Sequence, residues 1–255
     1  MKPFGTPLIL ALVSVLAIGF AGCSASGPAK PADTPSSDAV FASPTQLTAA
    51  VTNGSNIILH WKNDASVDGG NWIEYTTAKF DYVKLDALTD TRETFFLHPN
   101  LAPETTFIYH LQPFFGQATA PVEITTGSAP TNQTPALAEG PLDQTNSPAG
   151  EKIQKYSIRS LPTFANAVPS DLTATLSSPT SVDLHWKDHA SDADGFLLEV
   201  APRPDGEYRP CALLPPDVTS FRKTLLPPQK KCYFRVRAFF YGKPTEPVSA
   251  TTAAR

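Results

Sequence analysis

Charge of one sign, cysteine and long apolar runs are all scarce in this 255-residue chain, and each scarcity excludes something. The net charge is only −4 and the lysines and arginines are scattered. No basic stripe exists to follow a phosphate backbone, so nucleic acid is excluded as a partner. Three cysteines, with neither a second C-x-x-C nor a nearby histidine cluster, exclude a zinc site. No nucleophile elbow, H-E-x-x-H, Walker loop or dinucleotide glycine pattern is present. The aspartates Asp64 and Asp68, and Asp188, Asp192 and Asp194, lack the alternation and glycine of a calcium loop and read as turn residues. The expectation is a chain that is not an enzyme and carries no cofactor. Glycine is also sparse, 14 against 26 prolines, which favours many short elements over long helices and points to an all-β fold.

The one sustained apolar run extends from Pro7 to Phe20, after Lys2. About 14 residues are too few to cross a hydrocarbon layer of roughly 30 Å comfortably, and the basic-then-apolar order is that of a secretory signal. The run ends in Phe20-Ala21-Gly22-Cys23, which resembles the bacterial lipobox, with Phe20 where that family usually has leucine. The resemblance implies a signal peptide over 1–22 and a lipid attached to Cys23: a thioether-linked diacylglycerol plus an N-acyl chain such as palmitate. Because each buried CH₂ contributes about 0.8 kcal/mol, two or three chains make attachment to a membrane effectively stable. Ser24 at the following position points to the outer membrane of a cell that has one. Residues 24–42, rich in Ser, Pro, Ala and Asp, read as a tether that spans roughly 25 Å as a flexible chain.

Beyond the tether the chain repeats itself. Pro44, Leu47, Leu59, His60, Trp61, Lys62, Gly70 and Glu74 recur 125 positions later as Pro169, Leu172, Leu184, His185, Trp186, Lys187, Gly195 and Glu199. The same offset pairs Leu101 with Leu226 and Phe114-Phe115 with Phe239-Phe240. Within each copy the apolar residues alternate, as in Ile57, Leu59 and Trp61 or Val182, Leu184 and Trp186, which is the period of a half-buried strand. Short strands bounded by Pro, Asn, Asp and Gly imply antiparallel sandwiches. His60 and His185, beside the tryptophans, are aimed at solvent by the same alternation.

These residues resemble fibronectin type III domains over 43–127 and 167–253: an opening proline and leucine, a tryptophan on the second strand, a glycine-led third strand, a Leu-x-Pro corner and a closing Thr-Thr pair, Thr125-Thr126 and Thr251-Thr252. The resemblance implies two antiparallel immunoglobulin-like β-sandwiches, domain 1 over 43–127 and domain 2 over 167–255, joined by a flexible linker over 128–166. Within that linker 151–166 reads equally as a short helix or an edge strand. The family's corner tyrosine is replaced by Phe107 and Cys232, neither of which supplies its hydroxyl.

With Cys23 assigned, Cys211 and Cys232 form an even pair in an exported chain and are expected to be a disulfide. It would close a loop of about 20 residues and add roughly 3 kcal/mol. Register places Trp72 and Phe114 on the outward face of one copy and Leu197 and Phe239 on the outward face of the other. Two readings stay open for this apolar quartet: a binding face, or burial under another segment. The function expected is that of a non-catalytic, membrane-anchored envelope lipoprotein whose modules serve protein contact, adhesion or spacing. A polysaccharide-binding surface protein is the alternative, and an accessory to an envelope enzyme complex stands behind it.

Overall fold

The computed structural model describes residues 37–77, 81–88, 90, 92–128, 137–142 and 152–254. The signal peptide, Cys23 and most of the tether lie outside these residues, and 35–255 forms one compact unit. Apart from a one-turn helix at Ser37–Val40 and a 3-10 turn at Phe164–Ala167, the regular structure is β. The first copy contributes β1 (Thr45–Thr52), β2 (Asn56–Lys62), β3 (Gly69–Thr76), β4 (Val83–Leu88), β5 (Phe95–His98), β6 (Thr106–Phe115) and β7 (Val122–Thr125). The short β8 (Gly140–Pro141) lies between the copies. The second copy contributes β9 (Ser170–Ser178), β10 (Ser181–Lys187), β11 (Gly195–Ala201), β12 (Arg209–Leu214), β13 (Ser220–Lys223), β14 (Lys231–Tyr241) and β15 (Val248–Thr251). Every strand-to-strand pairing is antiparallel, as the fold class read from the sequence requires.

Alternation builds each core. Ile57, Leu59 and Trp61 of β2 face Phe107, Tyr109 and Leu111 of β6 across module 1. Val182, Leu184 and Trp186 face Phe234, Val236 and Ala238 across module 2. The sheets are a three-stranded β1-β2-β5 in module 1, a four-stranded β8-β13-β10-β9 in module 2, and an eight-stranded sheet that runs through both in the order β12-β11-β14-β6-β3-β4, with β7 on β14 and β15 on β6. Glycine at the head of β3 and of β11 has a steric reason. A Cβ at Gly70 would stand 2.1 Å from the Leu88 carbonyl and 2.5 Å from the Phe114 ring, and at Gly195 2.5 Å from the Leu214 carbonyl. Each glycine makes room for an aromatic ring from the neighbouring strand.

The seventh strand of each sandwich comes from the other copy. β7 ends the first repeat yet pairs with β14, in the register Lys231↔Thr125 to Phe234↔Val122. β15 ends the second repeat yet pairs with β6, in the register Val248↔Tyr109 to Thr251↔Thr106. Beyond its core segment each long strand runs on beside the other, pairing Phe240 with Phe115 and Tyr241 with Phe114. Thr119 N–H then donates to the Val236 carbonyl and Thr245 N–H to the Leu111 carbonyl. Backbone approach at this crossing is close, and a Cβ on Gly116 would lie 2.0 Å from the Ala238 carbonyl. The two modules therefore interlock, and the expectation of two bodies on a flexible linker gives way among the described residues.

The exchange also answers the missing corner tyrosine. At the module 1 corner the Thr252 hydroxyl donates to the Ala102 carbonyl at 2.6 Å and accepts from the Thr105 N–H at 3.0 Å. At the module 2 corner the Thr126 hydroxyl donates to the Pro227 carbonyl at 2.7 Å and accepts from the Lys230 N–H at 2.9 Å. Both threonines are buried. Each corner is thus held by a hydroxyl on the residue that immediately follows the other copy's final strand.

Within the linker, 152–166 forms neither the helix nor a regular edge strand. It makes one parallel bridge, Tyr156 to Ala190, then buries Ile158 and Phe164 in the module 2 core. Phe41, at the end of the expected tether, packs 5.2 to 5.5 Å, ring centre to ring centre, from Phe115, Phe164 and Phe240. One aromatic residue thereby touches module 1, the linker and module 2.

The Thr252→Val variant should expose this arrangement. Losing both hydrogen bonds is expected to cost about 1–3 kcal/mol, and hydrogen exchange should accelerate at the 101–106 corner of module 1. The 226–231 corner, which belongs to the same repeat as Thr252 but is held by Thr126, should keep its protection.

Candidate functional site

The apolar quartet defines the centre of the molecule. Trp72, Phe114, Leu197 and Phe239 are 8%, 0%, 0% and 1% exposed and form one cluster with Ala87. Their strands expose them on the outer faces of β3, β6, β11 and β14, as register requires, and those two faces pack against each other. Phe114 and Phe239 meet edge-on at 5.9 Å, and Trp72 lies 6.0 Å from Phe114. The exposed binding face is thereby corrected: each module is the segment that covers the other. Burial on both faces also explains why β3 and β11 are enclosed along most of their length.

The same faces carry charge. Glu74 and Glu199 occupy equivalent positions, and each meets basic side chains from adjacent strands. The Glu74 carboxylate lies 2.7 Å from His110 Nε2 and pairs with Lys84. Burial raises its pKa, but the hydrogen bonds from Lys84 and His110 outweigh this and hold it below the usual carboxylate range. The Lys84 ammonium also sits about 5 Å over the rings of Trp72 and Tyr241, at 5.1 and 5.2 Å, one from each module.

Glu199 is fully buried. It pairs through Oε2 with Arg235, and with Arg237, whose Nη2 donates to the same Oε2 at 3.4 Å while Nε stands 3.2 Å from Oε1 without hydrogen-bond alignment. Arg237 Nη1 donates to the Gly116 carbonyl of module 1 at 2.8 Å, and its guanidinium lies 5.8 Å from the Phe114 ring. Burial lowers the Arg237 pKa from its ordinary value, opposed by the negative charge of Glu199. Arg235, on the solvent side, stacks 4.0 Å from the Tyr208 ring. A charged group from module 2 is thus tied to the backbone of module 1 through the interface.

Beside this network a polar cleft of about 510 Å³ opens, bounded by Asp68, Asp90 and Arg92 on one side and Asp205, Tyr208 and Arg235 on the other. Arg92 holds the Asp90 carboxyl below its usual range, and the Asp90–Arg92 pair is bidentate, with Nε 2.9 Å from each oxygen. The lining contains no histidine, cysteine or serine. Among the described residues no cluster of three His, Cys, Asp or Glu side chains is placed to hold a metal. No described helix is long and apolar enough to cross a membrane.

The two cysteines are free thiols, which corrects the expected disulfide. Cys211 lies on β12 and Cys232 on β14, and β11 runs between them. Two strand spacings separate their backbones by roughly 9–10 Å, beyond the Cα separation of about 7 Å that a disulfide bridges. Burial pushes the Cys211 thiol up to about 12 and raises that of Cys232, so neither is poised as a nucleophile. His60 and His185 are exposed on the outer sheets, far from one another in sequence and in different modules.

No protein-family model matches the chain, and no curated protein is similar to it. Among solved structures it is similar to the FN1–FN3 domains of chicken CNTN1, at 13% identity and a TM-score of 0.27 over 84% of this chain. The chain spans 65% of that structure, less than two thirds of its length. It is likewise similar to a two-domain fibronectin type III segment of chicken tenascin, at 12% identity and a TM-score of 0.27, covering 83% of this chain and 99% of that one.

Arg237→Ala should leave Glu199 buried with one of its two cations gone, and is expected to cost about 3–5 kcal/mol in a urea titration. Replacing the pair together, Glu199→Leu with Arg237→Met, should recover most of that loss. Equal instability of the double variant would show that the charges are not coupled.

Proposed function

We propose that this chain is a non-catalytic lipoprotein of the cell envelope, anchored through lipid on Cys23, that presents its two sandwiches as one stiff body for protein–protein contact, adhesion or spacing. The observation that carries this reading is the interlock: final strands exchanged, outer faces buried against each other, and a charged residue of one module bonded to the backbone of the other. An assembly that devotes the apolar faces around Trp72, Phe114, Leu197 and Phe239 to internal stiffness suits holding or spacing better than chemistry. The lipobox resemblance at Phe20–Cys23 supports the anchor, and Ser24 supports an outer membrane where the cell has one. A polysaccharide role would call on exposed aromatic platforms, and Trp72 and Phe114 are not available for it.

Cys23→Ser is the test. The variant should move from the membrane fraction to the soluble fraction with its thermal unfolding unchanged, because neither sandwich uses that residue. Continued partition with membranes would contradict the anchor.

A further inference from the structure

Module 2 shows, within this chain, how an extended segment docks on one of these sandwiches. β8 lies along the outer edge of β13, pairing Pro141 with Phe221 and Gly140 with Arg222. Its neighbours fix it at both ends. The Glu139 carboxylate accepts from the Thr224 N–H at 3.1 Å and pairs with Lys223 at 2.8 Å, while the Leu142 carbonyl accepts from the Ser220 hydroxyl at 3.1 Å.

Among the described residues the equivalent edge of module 1 carries no such strand. β5, Phe95–His98, stands 125 positions before β13, Ser220–Lys223, and it pairs with β2 on one side only among the described residues. Its surface differs in kind as well. On the outer face of module 2, Asp183 and Arg222 form a bidentate ion pair with both contacts at 2.6 Å. The residues at the same places in module 1 are Ile58 and Leu97, directly opposite each other. Phe95 is 59% exposed and Leu97 44%. An open strand edge with apolar side chains is a liability that folded proteins ordinarily blunt with charge or cover. Module 2 does both, with the Asp183–Arg222 pair and β8.

Between the open edge of β5 and the neighbouring β4 runs a groove of about 420 Å³. Asp86, Glu93 and Glu207 line it, with Arg209 as the cation, and Arg209 is already paired to Glu207 at 2.7 Å. Burial raises the Glu93 pKa, and the charges of Glu207, Asp90 and Asp86 raise it further, outweighing Arg209. The field in the groove is therefore negative, opposite to the lysine that meets Glu139 in module 2.

We infer that the β5 groove of module 1 is a docking site for an extended segment of a partner protein, which adds to β5 as a strand and carries a lysine or arginine toward Glu93 and Asp86 with an apolar residue against Leu97. Main-chain pairing supplies affinity, and the acidic wall with the apolar outer face supplies selection. The inference rests on the interaction reading proposed above and names the chemistry of the partner.

The test uses the full chain in mild detergent, panned against a phage-displayed library of random linear peptides. Enriched peptides should combine a basic residue with flanking apolar ones. Each should bind at least tenfold more weakly to the Ile58→Asp/Leu97→Arg variant, which transplants the module 2 ion pair and so keeps a pairing the fold already accommodates. Glu93→Gln should weaken the basic peptides selectively. Peptides that bind the double variant as well as the parent would overturn the groove while leaving an interaction role standing elsewhere on the body. Failure of any peptide to enrich would overturn it too. Sedimentation showing a dimer of this chain that the double variant abolishes would assign the edge to a second copy instead.

Discussion

Exchange of the final strands between the two sandwiches is the constraint on which the rest of the structure depends. A sheet must satisfy the hydrogen bonds of its edge strands or leave them open, and here β6 is completed by β15 and β14 by β7. The chain passes between modules twice, once after each long strand. The crossing strands bring Phe115 against Phe240, and from there the outer faces of the two halves of the eight-stranded sheet close on each other. Burial of Trp72, Phe114, Leu197 and Phe239, the corner hydrogen bonds of Thr126 and Thr252, and the reach of Arg237 to Gly116 all follow from that crossing.

The interface mixes two unequal kinds of contact. Its apolar part is unconditional: fully burying side chains of this size contributes roughly 1.5–3 kcal/mol each. Its ionic part is conditional, since a buried carboxylate such as Glu199 stabilises only while its cations stay in place. Glu199, Arg235 and Arg237 stand on the paired strands β11 and β14 of module 2, so that array is set within one module, and docking adds the bond from Arg237 Nη1 to the Gly116 carbonyl of the other. The module 1 counterpart is softer: Glu74, partly buried, meets a histidine and a lysine near the rim.

Much of this was legible in the residues. The repeat at a spacing of 125, together with alternation of period two, identified the cores, the inward tryptophans and the face on which Trp72, Phe114, Leu197 and Phe239 stand. What covers that face was not legible, because a face's apolarity demands cover without naming it. The exchange was hidden for a related reason. The final strands, Val122–Thr125 and Val248–Thr251, are short and similar in pattern, and nothing in either distinguishes its own module's long strand from the other's. The disulfide failed because parity of cysteines carries no register, and β11 stands between the two. The corner departure at Phe107 and Cys232 was a true signal, and the compensating hydroxyls were present in the Thr-Thr pairs, but only the crossing brings them to the opposite corners.

Exchange turns two repeats into one body, while the outer edges of the repeats still differ among the described residues: that of module 2 is closed by β8 and that of module 1 is open at β5. The most direct measurement is a covalent one. Thr106 and Thr251 face each other across β6 and β15 with their hydroxyl oxygens 2.8 Å apart. Cysteines at these two positions, in a chain with Cys211 and Cys232 replaced by alanine, should form a disulfide within a single chain, detected by peptide mapping without reduction. Thiols that remain free, or that link only two separate chains, would contradict the exchange.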